Sequence, residues 1–187
     1  MLSKKRRLDG KCAGCDQSIP PRCQEIVWDK IKDNVPVPSI SDNHVLGSPL
    51  CLADKTRPDW CWIGSDRIVH LECDENSHLD REVSCELRKN DSAGWGQDMS
   101  LSHLPTVIVR FNPGNYDKSS ITLDERCRVL VETLNDLFTC DVNKFSFLQT
   151  NIIFMYYHSK ASRYIEACRD AVHSLRVLDV ITTVTTH

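Results

Sequence analysis

The chain has 187 residues, of which 41% are hydrophobic and 26% charged, with a formal net charge of −3 and ten cysteines. That length carries one solid core and at most a small appendage, and the composition is that of an ordinary globular protein rather than a disordered or fibrous one. No apolar run approaches the roughly 20 residues that a membrane-spanning helix needs.

The first segment, MLSKKRRLDGK, gathers Lys4, Lys5, Arg6, Arg7 and Lys11. No apolar stretch follows it, so it does not read as a secretory signal. The expectation is an intracellular protein, cytoplasmic or nuclear and not secreted, with no membrane association. Without an export signal the cysteines are not expected to form a disulfide framework. Cys12 and Cys15 form CAGC, which is half of a structural Zn²⁺ site, and Cys23, Cys51 and His44 are the candidates for its remaining ligands. The same pair also reads as two incidental thiols, because no second C-x2-C completes it. Cys127, Cys140 and Cys168 fall on apolar positions and read as small core residues.

CQEIVWDKIKDNV has helical spacing at Ile26, Val27 and Ile31 and predicts a helix over 22–33, which the prolines of VPVPS end. On this basis residues 1–35 form a basic N-terminal arm with a CxxC and a helix, and residues 36–187 form one α/β domain. SDNHVLGSPL reads as a turn plus a short edge strand. RPDWCW and DRIVHLEC flank IGS and predict a β-hairpin. REVSCELRKNDSAGWGQDMSLS reads as a helix followed by a glycine-containing loop. LPTVIVRF, rich in β-branched residues behind Pro105, is the clearest buried strand, and NPGNYD turns the chain after it.

TLDERCRVLVETLNDLF opens with Thr122 and Glu125 in the spacing of a capping box. Its residues Leu123, Cys127, Leu130, Val131, Leu134, Leu137 and Phe138 fall on one stripe. NIIFMYYHS reads as another strand and SRYIEACRDAVHSLRVL as a second amphipathic helix. The order is helix, three strands, helix, strand, helix, strand, helix, which predicts an α/β fold with a mixed central sheet flanked by helices.

The chemistry is concentrated in RPDWCWIGSDRIVHLECDENSH. Alternate residues of a strand share a face, so Glu72 and Asp74 project together, and an in-register hairpin brings Asp59 towards Glu72. Carboxylates a few ångströms apart are hard-oxygen ligands for Mg²⁺ or Mn²⁺. His78, just beyond the strand, suits a general base or a further ligand. Glu75 and Asp80 read as solvated surface acids. The apolar neighbours Trp60, Trp62, Ile68, Val69 and Leu71 make that plain reading a poor one for Asp59 and Glu72.

Four pieces occur in order: Pro58-Asp59; Glu72-Cys73-Asp74-Glu75 to His78; Cys85-Glu86 to Arg88; and Arg110-Phe111-Asn112-Pro113 to Tyr116. Together, over residues 40–117, they resemble the PD-(D/E)xK nuclease superfamily, in a branch similar to very-short-patch-repair and homing-type endonucleases and to nuclease-like proteins of giant viruses. The resemblance implies a restriction-endonuclease-like core and a Mg²⁺- or Mn²⁺-dependent endonuclease acting on DNA ahead of RNA, of homing or mobile-element type. It implies Asp59, Glu72 and Asp74 as metal ligands, and His78 and Glu86 as further catalytic residues. Arg88, Arg110 and Asn112, with Lys4, Lys5, Arg6 and Arg7, would be substrate-binding. A salt bridge from Arg110 to Asp59 or Glu86 is the structural alternative for that residue. The chain departs from the superfamily by carrying Asp74 where a lysine usually follows, which shifts water activation towards His78. Gln97-Asp98 stands in an irregular segment where relatives have a regular helix. Two other functions remain open: a nuclease-derived nucleic-acid-binding subunit of a larger assembly without catalysis, and a small zinc-stabilised adaptor. A homodimer or a larger complex is consistent with the first two.

Overall fold

The computed structural model describes residues 22–41, 58–75, 103–114, 120–171 and 173–182, together with 83, 84, 86, 87 and 90. Helix α1, Cys23–Ile31, leads into β1, Ile40–Ser41. The hairpin strands are β2, Trp60–Ile63, and β3, Ile68–Cys73. The described residues between 83 and 90 are helical. There follow β4, Thr106–Phe111; α2, Leu123–Thr139; β5, Thr150–Met155; α3, Ser162–Asp170; and β6, Leu175–Ile181.

The six strands form one sheet in sequence order. β2 runs antiparallel to both of its neighbours, β1 and β3, and β3 through β6 run parallel. The fold is therefore α/β with a mixed sheet flanked by helices. The hairpin pairs Ile63 with Ile68 and Trp60 with Leu71. Gly64 sits at its bend, where its N–H donates to the Arg67 carbonyl at 2.9 Å. A Cβ there would come within 3.2 Å of that oxygen.

Strand alternation divides the side chains between two cores. One face carries Trp60, Trp62, Val69, Leu71, Val107, Val109, Phe111 and Ile153 beneath α1 and α2. The other carries Ile152, Phe154 and Leu175 beneath α3, with Val83 and Leu87 packed against them. Helix α1 is part of the first core: Val27, Ile31 and Val35 are buried in it, and Trp28 stacks on Trp60 at 5.3 Å. α1 thus buries its apolar side against the sheet.

The capping box of α2 forms as predicted, with Thr122 accepting from the Glu125 N–H and the Glu125 carboxylate from the Thr122 N–H. The edge strand read in SDNHVLGSPL lies outside the described residues, which omit 42–50, and Ile40–Ser41 forms a short strand that was not predicted. The last predicted helix is shorter than its pattern: α3 ends at Asp170, and Leu175–Ile181 is a strand. Between the two, the Ser174 and Leu175 N–H groups donate to the Ala171 carbonyl. The β-branched Val177, Val180 and Ile181 then gain a full ladder alongside β5, which outweighs continuing the helix.

Candidate functional site

The acids meet at the carboxyl ends of β3 and β4. The register sets Trp60 opposite Leu71, the residue before Glu72, and the carboxylate of Asp59, just ahead of Trp60, accepts from the Cys73 N–H at 2.8 Å. Glu72 pairs with Arg110 across the parallel ladder, so the two project from the same face, the one covered by α3. Asp74 continues that ladder through its N–H to the Phe111 carbonyl at 2.8 Å. Glu72 and Asp74 are buried and Asp59 is half-buried. The field of the three converges on Cys73. Burial first, and then the carboxylates of Asp59, Asp74 and Glu72, push its thiol well above the ordinary cysteine range.

Arg110, fully buried, is the hub of this face. Its Nε donates to Asp74 Oδ2 at 2.5 Å and Nη2 to Asp74 Oδ1 at 3.0 Å, a two-pronged grip. Nη2 also donates to Glu86 at 2.6 Å. Nη1 donates to the Asn90 side-chain oxygen at 2.6 Å and to the Tyr164 hydroxyl at 2.5 Å. A guanidinium has five N–H donors, and here each has an acceptor. Burial alone would weaken the charge, but Asp74 and the tyrosine hydroxyls more than offset it, so the Arg110 pKa stays well above its ordinary value. Tyr157 donates to Asp74 Oδ2. Burial and the Asp74 charge keep its phenol protonated, well above the usual tyrosine range.

An unusual backbone conformation delivers Tyr157. Tyr156 has φ 59°, which is rare outside glycine, asparagine and aspartate. Met155 and Tyr156 consequently both enter the core under α2, and Tyr157 returns to the α3 face. Strict alternation would have sent Tyr157 to the wrong side of the sheet.

Several sequence-predicted roles change here. Arg110 is committed to the ion pairs with Asp74 and Glu86, so the salt-bridge alternative holds and no donor remains for a phosphate. Asn112 is fully buried, its amide donating to the Tyr156 carbonyl at 3.0 Å and its oxygen accepting from the Gly114 N–H at 3.0 Å. It shapes a turn rather than facing a substrate. Glu86 is buried against Arg110. Asp74 lends its oxygens to Arg110 and Tyr157, which corrects its expected place beside Glu72 as a metal ligand. Cys23 stands at the start of α1, where burial and the nearby Glu75 raise its thiol pKa. Lys4, Lys5, Arg6, Arg7, Cys12, Cys15, Cys51, His78, Arg88 and Gln97-Asp98 lie outside the described residues. Among the described residues no set of three His, Cys, Asp or Glu side chains is arranged to hold a metal ion, and no helix is long and apolar enough to cross a membrane.

Sequence reasoning missed Asn90, Tyr157, Tyr164 and Arg126. The last lies on the apolar stripe of α2 and donates to the carbonyls of Asn112, Gly114 and Pro113 at 2.8, 2.6 and 3.1 Å, gripping the turn after β4. The paired tyrosines closing NIIFMYY were the available signal, since a phenol at a strand end needs a polar partner once buried.

No family model matches the chain, and neither a curated protein nor a solved structure matches it.

Proposed function

We propose that the protein is a metal-dependent endonuclease, acting on DNA ahead of RNA, built on a restriction-endonuclease-like core. The observation that supports this reading is the bond from the Cys73 N–H to the Asp59 carboxylate, which draws that acid to the strand end that carries Glu72. The element order supports it too: a helix, three antiparallel strands, a helical segment and a parallel strand, with Asp59 preceding the second strand and Glu72 near the end of the third.

Asp59 and Glu72 fit Mg²⁺ or Mn²⁺ as hard carboxylate donors. Asp74 does not fit, because a carboxylate gripped by a guanidinium and a phenol is a poor ligand. A bound divalent cation would polarise a phosphate and help to activate water. The chain's own part is to hold the two carboxylates at fixed separation on a buried sheet end.

Incubating supercoiled plasmid with Mg²⁺, Mn²⁺ or EDTA, beside the Glu72→Ala variant, tests the reading. The expected result is metal-dependent nicking that the variant lacks. Nicking that persists in Glu72→Ala, or no nicking with any metal across a panel of substrates, would overturn it.

One observation favours the second reading, a nucleic-acid-binding subunit without catalysis: Arg110 neutralises two of the four acids on this face, Asp74 and Glu86. Binding of DNA without cutting, unaffected by Glu72→Ala, would select it.

A further inference from the structure

We propose that Asp74 is a strut rather than a ligand, and that Arg110 and Tyr157 are positioning residues which, through Asp74, fix the end of β3 that carries Glu72 and receives Asp59. This rests on the reading of Asp59 and Glu72 as the metal-binding pair. Asp74 is the residue at which the chain leaves β3, and three independent contacts fix it: its N–H on the Phe111 carbonyl, the two-pronged grip of Arg110, and the Tyr157 phenol. Glu72 is two residues upstream on the same face, and Asp59 is anchored on Cys73 between them. The contacts that fix Asp74 therefore also hold the adjoining stretch of chain, which carries Glu72 and the Cys73 N–H that Asp59 accepts from.

The surroundings of the strut are specific to that task. Arg110 stands on the strand beside Glu72 and also ties down Glu86 and Asn90, so the helical segment over this face is bonded to the same point. Tyr157 reaches Asp74 only because Tyr156 holds a positive φ, and such conformations gather where a side chain must be aimed. Tyr157 also packs edge-on to Phe154 at 5.0 Å, so its ring has a place that phenylalanine can fill without the hydroxyl.

Groups that orient a metal's ligands typically contribute 10- to 100-fold to affinity. Mn²⁺ binding, followed by the electron paramagnetic resonance of the free ion, would be compared in the native chain, Glu72→Ala, Tyr157→Phe and Leu134→Ala. Leu134 lies in the core on the opposite face, so its variant reports the effect of lowered stability alone. The expected result is binding lost in Glu72→Ala, roughly 10-fold weaker in Tyr157→Phe, and unchanged in Leu134→Ala. Unchanged binding in Tyr157→Phe, with Glu72→Ala still inactive in binding, would overturn the positioning role while leaving the metal pair standing. Tighter binding in Tyr157→Phe would also overturn it, by making Asp74 a ligand that the phenol withholds. Mn²⁺ binding absent from the native chain, or indifferent to Glu72→Ala, would remove the metal pair itself and the inference with it.

Discussion

At the scale of single residues, the decisive feature is a buried cation with every donor spent. Removing one partner of a buried ion pair leaves the other charged and unsatisfied, which costs about 3–5 kcal/mol. Arg110 serves two carboxylates, so Arg110→Met is expected to lower stability by at least that range, measured by urea unfolding. Arg110→Lys should recover little, since an ammonium cannot reproduce the two-pronged grip. A pH dependence follows from the tyrosines. Burial and Asp74 raise the Tyr157 pKa, and burial raises that of Tyr164 against an opposing pull from Arg110. Above about pH 10 the unfolded chain loses phenolic protons that the folded chain keeps. The folded state then binds more protons, so stability is full below that pH and falls as pH rises. Urea midpoints measured between pH 8 and 11 should show the decline, and Tyr157→Phe should flatten it.

At the scale of elements, α2 shows how local signals and tertiary demands divide the work. Its start is set by the Thr122 and Glu125 capping box. Thr122→Ala should cost about 1 kcal/mol, read as a shift of the unfolding midpoint. The backbone and hydroxyl hydrogen bonds of Thr122 hold the Glu125 carboxyl below its usual range. Its contribution is therefore present above the unfolded pKa and lost as pH falls through the lower folded one. This helix was legible because its period and its cap agree. The helix read over SRYIEACRDAVHSLRVL was legible only as far as Asp170, because the sequence cannot say that β5 has a free neighbouring lane. Leu175–Ile181 fills that lane, and pairing along β5 decides its conformation. Arg126 was illegible for a related reason: a cation on an apolar stripe makes sense only when three turn carbonyls are folded over it.

At the scale of the whole molecule, one sheet serves two cores, and the candidate site is a product of that sharing. The sequence showed the hairpin that brings Asp59 to the end of β3, since hairpin register is a local property. It did not show that Arg110 would take Asp74 out of the set, because that contact joins β3 to β4 across 36 residues of chain. The helices alternate faces while β3 to β6 are laid down in order and parallel: the 83–90 segment and α3 on one side, α2 on the other. The crossover through α2 therefore has the opposite hand to its two neighbours, a rare arrangement that only tertiary packing can enforce. Since β3, β4 and β5 line both cores, neither core can open alone. The described tryptophans, Trp28, Trp60 and Trp62, lie with the α1–α2 core, so in a Trp95→Phe background the fluorescence reports that side, whereas far-UV circular dichroism reports both. The two signals are expected to give one coincident urea transition. Leu134→Ala beneath α2 should move both midpoints together by a loss of about 2–5 kcal/mol. A fluorescence transition that precedes the loss of circular dichroism would mean that the α1–α2 layer melts from a sheet still held by Arg110 and α3, and that the cores are independent.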